Sequence, residues 1–246
     1  MVYFRRVSYL RLIWRFLFFA FFTTAIVVEI WLRRTFMGAD MRVAMRVRRR
    51  WARVLLRNVG IRGATEGTAP DFACIIVCNH RSYLDPILML RDVDAYPVAK
   101  AELADWPVIG KGALLAGILY LRRDHSGSRA NALRLMEEKI RVGFQIILFP
   151  EGTTSGVHGT LPFKKGVFQL AARTGIPIVP AALIFHDKND FWIGKQTFLR
   201  HAGRRFKEKI IRVDVCYGPT LRGDDAEKLL SDAKDWIDGR LGTATG

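Results

Sequence analysis

Apolar and polar positions fall along the chain in blocks of two kinds. From residue 63 onward, the short apolar runs Ala73–Cys78 (ACIIVC), Tyr96–Lys100, Gly117–Leu121, Gln145–Phe149 and Ile178–Ile184 have the length and composition of strands. Between them, Pro86–Leu90, Arg129–Arg141 and Lys164–Thr174 carry helical patterns. The last is closed by Gly175, since glycine accepts the left-handed turn that ends a helix. Ile211–Val215 alternates Ile211, Val213 and Val215 with Arg212 and Asp214, the period of a strand with one face exposed. Asp224–Asp238 then places Ala226, Leu229, Leu230, Ala233, Trp236 and Ile237 on one helical face. Strands alternating with helices predict an α/β domain with a mostly parallel sheet flanked by helices. No internal repeat and no glycine-rich nucleotide fingerprint occurs, so sites are expected at the carboxyl ends of the strands.

Residues 1–62 follow a different pattern. Phe16–Val28 (FLFFAFFTTAIVV) has thirteen residues without a charge, and accepting Glu29 extends the apolar stretch to Leu32. Those seventeen residues would reach about 25 Å as a helix, against a hydrocarbon core of about 30 Å. Arginines flank the run on both sides, at Arg5, Arg6, Arg11 and Arg15 before it and Arg33 and Arg34 after. A crossing helix and a segment dipping into one leaflet fit equally, and a signal peptide lacks a clean cleavage site. Met41–Arg57 reads as a basic amphipathic helix, with Met41, Ala44, Val47, Trp51, Val54 and Leu55 on one stripe and arginines on another. Its arginine stems could lie along lipid with their heads at phosphates, or the helix could simply pack on the domain. The expected organisation is therefore residues 1–62 as N-terminal membrane-anchoring helices and 63–246 as a catalytic domain.

Charge and cysteine sharpen this picture. The 246 residues carry 39 Lys and Arg against 23 Asp and Glu, and half are apolar, which excludes a disordered or collagen-like chain. Residues 1–62 hold fourteen arginines and only Glu29 and Asp40 as acids, for +12; the remainder is near balance at +4. The basic surplus thus belongs to the N-terminal segment, which favours an anionic membrane surface and argues against a nucleic-acid-binding face. Cys74, Cys78 and Cys216 form no CxxC pair; Cys74 and Cys78, in or beside an apolar run, read as small buried hydrophobes, and free thiols favour a reducing compartment.

Three clusters carry candidate chemistry. Strand Ala73–Cys78 runs into Asn79-His80-Arg81-Ser82-Tyr83-Leu84-Asp85-Pro86, where a turn could fold Asp85 back on His80. Such a carboxylate fixes the imidazole tautomer and leaves the other ring nitrogen as a base; a structural histidine beside a helix-capping aspartate is the alternative. After strand Gln145–Phe149 comes Pro150-Glu151-Gly152-Thr153-Thr154-Ser155-Gly156, with an acid, glycines and hydroxyls suited to a polyol or an anion, or to a capped loop. Gly117-Ile118-Leu119-Tyr120-Leu121-Arg122-Arg123 sets two guanidinium groups at a strand end, suited to clamping phosphate or merely solvated. His125, His158, His186 and His201 show no mutual ligand spacing and read as surface or loop residues. Phe191–Phe206 mixes aromatics with bases and reads either as a membrane-facing acyl-chain entrance or as a packed insertion.

Together these blocks resemble the lysophosphatidic acid acyltransferase family of glycerolipid acyltransferases. NHRSYLD is similar to its NHxSxxD block, GILYLRR to the block with the phosphate-binding arginine, FPEGTTS to FPEGTRS, and IPIVPAAL to the fourth, in order over Val77–Leu183. The resemblance implies acyl transfer from acyl-CoA or acyl carrier protein to a membrane lysolipid, 1-acylglycerol-3-phosphate giving phosphatidate, without metal or organic cofactor. His80 would take the proton from the acceptor hydroxyl and Asp85 would orient it. Glu151 and Gly152, with the Thr153 hydroxyl, would hold the glycerol portion, Arg122 the phosphate, and Lys100 would assist in anion binding. The expected location is membrane-associated, at the cytoplasmic face of the inner (plasma) membrane. Thr154 departs from the pattern, standing where phosphate-acylating members carry arginine, and a hydroxyl cannot supply a bidentate donor. Arg122, Arg123, Lys164 and Lys165 are the possible compensating cations. Branches that acylate lyso-ornithine lipid or head-grouped lysophospholipids share that departure, so such an acceptor is the alternative. More distant rivals are a metal-dependent hydrolase using His80, Asp85 and Glu151 as ligands, and a membrane-tethered binding protein.

Overall fold

A computed structural model describes residues 2–101, 112, 114–121 and 126–243. Among the described residues, eight strands form one sheet: β1 (Ile61–Arg62), β2 (Thr65–Glu66), β3 (Ile75–Cys78), β4 (Ala95–Lys100), β5 (Leu119–Leu121), β6 (Gln145–Leu148), β7 (Ile178–Phe185) and β8 (Ile211–Tyr217). Their order is β1-β8-β7-β3-β6-β4-β5, with β2 also paired to β8. Every pairing is parallel except β7 with β8. Parallel strands covered on both faces need no alternation, and all four residues of β3 are buried. The alternation in β8 marks the exposure of Arg212.

Helices α1 (Val2–Phe36), α2 (Met41–Asn58), α3 (Asp85–Leu90), α4 (Ser126–Arg141), α5 (Gly166–Thr174), α6 (Phe198–Arg205) and α7 (Ala226–Thr243) surround the sheet. Successive side chains of β3 divide the core. Ile76 and Cys78 pack with Leu55 and Leu56 of α2, Leu88 of α3 and Ala202 of α6. Ile75 and Val77 pack with Met136 of α4, Phe168 of α5 and Ala233 of α7. The result is the expected α/β arrangement, with the carboxyl ends of β3, β6, β4 and β5 along one edge. Three elements escape the sequence pattern: β1 and β2, two residues each and too short to show a period, and α6, hidden in an aromatic and basic stretch.

Two findings change the reading of the N-terminal segment. First, the Met41–Arg57 helix forms, with Asp40 accepting from Val43 N–H as its cap, but its apolar stripe faces protein. Ala44, Met45, Val47, Ala52, Leu55 and Leu56 are buried, and so is Arg48, which donates to the carbonyls of Ala95, Ala116 and Gly117. Residues 41–62 thus pack against the sheet, β1 included.

Second, the apolar run belongs to a helix of 35 residues, about 52 Å at 1.5 Å per residue. Val7–Phe36 is long and apolar enough to cross a membrane by length and composition. One side of α1 is nevertheless docked. Arg15 is buried and donates to the carbonyls of Asn58, Phe206, Glu208 and Lys209 at 2.6–3.2 Å. Gly60 (φ +82°) makes room for it, since a Cβ there would collide with the Arg15 guanidinium. Further along, Trp51 donates to Thr23 Oγ1 and Arg34 to the Leu115 carbonyl, both at 3.1 Å, while Ile26 and Ile30 are buried. The other side exposes Leu10, Ile13, Trp14, Leu17, Phe21 and Trp31.

Candidate active site

The carboxyl end of β3 is shaped by Asn79. Its side-chain amide donates to the Leu183 carbonyl at 2.9 Å and its Oδ1 accepts from Leu183 N–H at 2.8 Å, so the side chain pairs with β7 while the backbone turns away. The next residue is His80. The turn that follows closes on one carboxylate oxygen: Asp85 Oδ2 accepts from the backbone N–H groups of Arg81 (2.6 Å) and Ser82 (2.8 Å) and lies 2.7 Å from His80 Nδ1. These backbone donors precede α3 rather than belonging to its first turn, so Asp85 organises the histidine loop instead of capping its own helix. Asp85 is fully buried. A carboxylate only accepts, so the proton of a neutral ring sits on Nδ1 and the lone pair on Nε2. The imidazole stacks on Phe149 at a centroid distance of 4.4 Å, fixing its plane. Cys78, two residues earlier, is fully buried and its thiol is pushed well above its ordinary pKa by burial and by the Asp85 charge, which removes it as a nucleophile.

A second loop, after β6, grips the first. Glu151 Oε1 accepts from His80 N–H at 2.7 Å, while Oε2 accepts from Ser155 Oγ (3.0 Å) and Leu161 N–H (2.9 Å). Ser155 N–H returns a bond to the His80 carbonyl at 3.0 Å. Arg81 donates to the Ser155 carbonyl and hydroxyl at 2.8 and 2.6 Å and also to the Gly159 carbonyl, and lies over the Phe191 ring. Burial lowers the Arg81 pKa, opposed by Glu151, Asp85 and Asp238. Glu151, expected to hold the acceptor's glycerol portion, therefore spends both oxygens on the protein and is absent from the cavity wall. The same commitments remove it as a third metal ligand, and among the described residues no three His, Cys, Asp or Glu side chains converge.

His80 opens into a cavity of about 1120 Å³ that runs over the carboxyl edge of the sheet. One flank is lined by Phe19 and Ile26 of α1, Leu55 and Leu56 of α2 and Ile87 of α3; the other by Ala132, Leu133 and Met136 of α4, Phe163 and Val167. Gly152, Thr153, Thr154 and Lys100 also line it. Gly152 adopts φ +77°, a conformation that residues with a Cβ rarely take, and the Lys164 side chain crosses its bare Cα. Lys100 is exposed at the end of β4, two strand spacings or about 10 Å from the strand that carries His80. Arg122, Arg123 and His125 lie outside the described residues.

The Phe191–Phe206 stretch is a packed insertion that also reaches the cavity. Trp192 and Phe198 meet the Tyr83 ring at 5.7 and 4.8 Å, and both line the wall. His201, expected at the surface, is buried: its Nε2 is 3.1 Å from the Asn189 carbonyl and its Nδ1 3.3 Å from Tyr83 Oη. The helix of α6 turns it inward, with its pKa lowered chiefly by burial. His158 and His186 are exposed as expected. Asn79, Arg81 and Ser155 had no assigned role in the sequence reading. Their only signal was polarity at strand ends, which does not distinguish a side chain that binds substrate from one that binds backbone.

A family model described as Acyltransferase matches residues 63–184. The chain is 32% identical over 178 residues to 1-acyl-sn-glycerol-3-phosphate acyltransferase BAT2, chloroplastic, of Brassica napus, covering 72% of this chain and 49% of that protein. It is 31% identical over 179 residues to lyso-ornithine lipid O-acyltransferase of Pseudomonas aeruginosa, covering 70% and 69%. The chain thus spans about half the length of the Brassica relative. In three dimensions it is similar to the 1-acyl-sn-glycerophosphate acyltransferase PlsC from Thermotoga maritima, with a TM-score of 0.78, 19% identity and coverage of 99% and 98%, which is a likeness of fold. The family match over the residues that build both loops, with relatives of this identity and coverage, means that the chain belongs to the lysophosphatidic acid acyltransferase family of glycerolipid acyltransferases.

Proposed function

We propose that this protein transfers a fatty acyl group from a thioester, acyl-CoA or acyl carrier protein, to the free hydroxyl of a lysolipid, with 1-acylglycerol-3-phosphate as acceptor and phosphatidate as product. The observation that carries the reading is the 2.7 Å pair of His80 Nδ1 and Asp85 Oδ2 at the mouth of a large apolar cavity. His80 Nε2 takes the proton of the acceptor hydroxyl as its oxygen bonds to the thioester carbonyl carbon. The tetrahedral intermediate then expels the thiolate, and the imidazolium returns the proton to sulfur. A thiolate leaves readily, so an activated alcohol suffices and no acyl-enzyme forms.

The same reading makes the protein monotopic, on the cytoplasmic face of the inner membrane. Its support is that α1 is held to the domain along its length by Arg15, Thr23 and Arg34 while its outer face is apolar, and that the three cysteines are free thiols. Pulling a lysolipid chain from the bilayer costs about 0.8 kcal/mol per CH₂, and an enzyme seated on the leaflet avoids much of that extraction. A second reading, acylation of lyso-ornithine lipid or a head-grouped lysophospholipid, is favoured by one feature: Thr154 lines the cavity where a guanidinium would suit a phosphate. Offering the purified protein a panel of lysolipids with each donor, and identifying products by mass, tests both. Acylated lysophosphatidate supports the first reading; product only from an acceptor lacking the terminal phosphate supports the second. Turnover that survives His80→Ala would overturn the mechanism for either.

A further inference from the structure

The two flanks of the cavity differ in their rims. The flank formed by α1, α2 and α3 adjoins the exposed apolar face of α1, where a lipid would arrive. The flank on the other side of the sheet is rimmed by exposed cations. Arg129, Ala132, Leu133 and Met136 all line the cavity from α4, at the i, i+3, i+4, i+7 spacing of one helical face, so Arg129 is the charged end of an otherwise apolar stripe. The segment leading into α5 brings a second cation to the same rim. Leu133, one turn beyond Arg129, packs at Gly166, two residues after Lys164, and Lys164 also lines the cavity with its side chain crossing the bare Cα of Gly152. Lys165 also lines the cavity, but its ammonium is ion-paired with Glu227 at 2.7 Å. No carboxylate among the described residues is ion-paired with Arg129.

We propose that Arg129 and Lys164 form a phosphate site for the donor's carrier, holding a phosphate attached to the pantetheine arm of the thioester while the acyl chain lies along the apolar stripe of α4. The inference rests on the acyl-transfer reading above and extends it to the donor, assigning opposite flanks to the two substrates. The physical reason is solubility. A lysolipid reaches the site from the bilayer beside α1, whereas the donor's phosphorylated carrier is polyanionic and must meet the protein from water. Exposed cations on the flank away from α1 complement it, and a guanidinium beside an ammonium suits a phosphate ester.

The test uses the full chain and coenzyme A as the probe. Titration calorimetry with coenzyme A, and with pantetheine that lacks phosphate, is run on the unaltered protein and on Arg129→Gln, Lys164→Gln and Arg129→Lys. Loss of one charge-assisted contact should weaken coenzyme A about tenfold in each glutamine variant, less in Arg129→Lys, and leave pantetheine unmoved. In steady-state assays with lysolipid in vesicles, KM should rise for acyl-CoA and not for the acceptor. Repeating the assay with acyl carrier protein as donor separates the sources: a matching rise points to the phosphate shared by both carriers, and a rise with acyl-CoA alone points to its nucleotide phosphates. Unchanged coenzyme A affinity, or a rise confined to the acceptor's KM, overturns the proposal. Absence of turnover with every donor and acceptor would instead sink the acyl-transfer reading, and the calorimetric comparison would still decide whether Arg129 and Lys164 bind phosphate.

Discussion

Glu151→Gln tests whether this carboxylate positions the histidine loop or touches substrate. The change keeps size and shape, so no cavity opens, but replaces an acceptor-only group with one oxygen and one NH₂. In the native arrangement Oε1 accepts from His80 N–H while Oε2 accepts from Leu161 N–H and Ser155 Oγ. A glutamine can satisfy only one of those sides. Its NH₂ must face a backbone N–H on the other, leaving a buried donor without an acceptor. That costs about 1–3 kcal/mol, and weakening the surviving charge-assisted bonds adds about 1 kcal/mol more. For a chain of this size the sum lowers Tm by roughly 5–15 °C. Where the amide turns its NH₂ toward His80, the backbone of the base shifts and kcat falls. Differential scanning calorimetry and steady-state kinetics on the same preparation check both effects. A lower Tm with reduced kcat and little change in the acceptor's KM is the expected result. An unchanged Tm with a tenfold rise in the acceptor's KM would refute the reasoning and return Glu151 to the substrate.

Three further outcomes are expected. Asp85→Asn keeps its amide oxygen where Oδ2 holds His80 Nδ1 and the Arg81 and Ser82 N–H groups, with its NH₂ at the partnerless Oδ1 position, but removes the charge that stabilises the imidazolium, which should reduce kcat by about 10–100-fold; kcat within about twofold of the unaltered enzyme would contradict that role. Arg15→Met keeps much of the side chain's length but takes donors from four carbonyls, so α1 should loosen from the domain at a cost on the order of 2–4 kcal/mol, read as lower urea resistance and faster proteolysis within residues 1–36. Burial lowers the pKa of His201 below its ordinary value of 6.5. As pH falls through that value the unfolded chain takes up a proton that the folded state resists, so stability present at pH 7.5 declines toward pH 5. His201→Gln should flatten that part of the urea-midpoint profile against pH, and an unaltered slope would count against the buried, neutral assignment.

Much of the architecture was legible in the sequence because it depends on local pattern. The apolar run at Ala73–Cys78 could only be a strand covered on both faces or part of a buried helix, and the polar turn immediately after it, with Pro86 opening the next helix, decided for a strand. His80 and Asp85 are five residues apart, so a single turn brings them together and their pairing could be anticipated without knowing what packs around them. Gly175 ends its helix with φ +70° for the same local reason.

What the amino-acid order determined by itself was the alternation of strands and helices, the N-terminal segregation of arginine and apolar residues, and the presence of an imidazole with a carboxylate at a strand end. Tertiary structure alone decided which partner each amphipathic or charged group would meet. An apolar helical stripe has the same period whether it faces lipid or protein, and only the sheet beneath α2 shows that its stripe is covered. The same holds for Arg15, one of many arginines until the carbonyls of residues 58, 206, 208 and 209 gather around it, and for His201, which only the packing of α6 against Tyr83 turns inward. Glu151 illustrates the reason most directly. A carboxylate's chemistry is fixed by its type, but its role depends on which donors lie within about 3 Å, and here they come from residues 4 to 71 positions away that only the folded chain brings together.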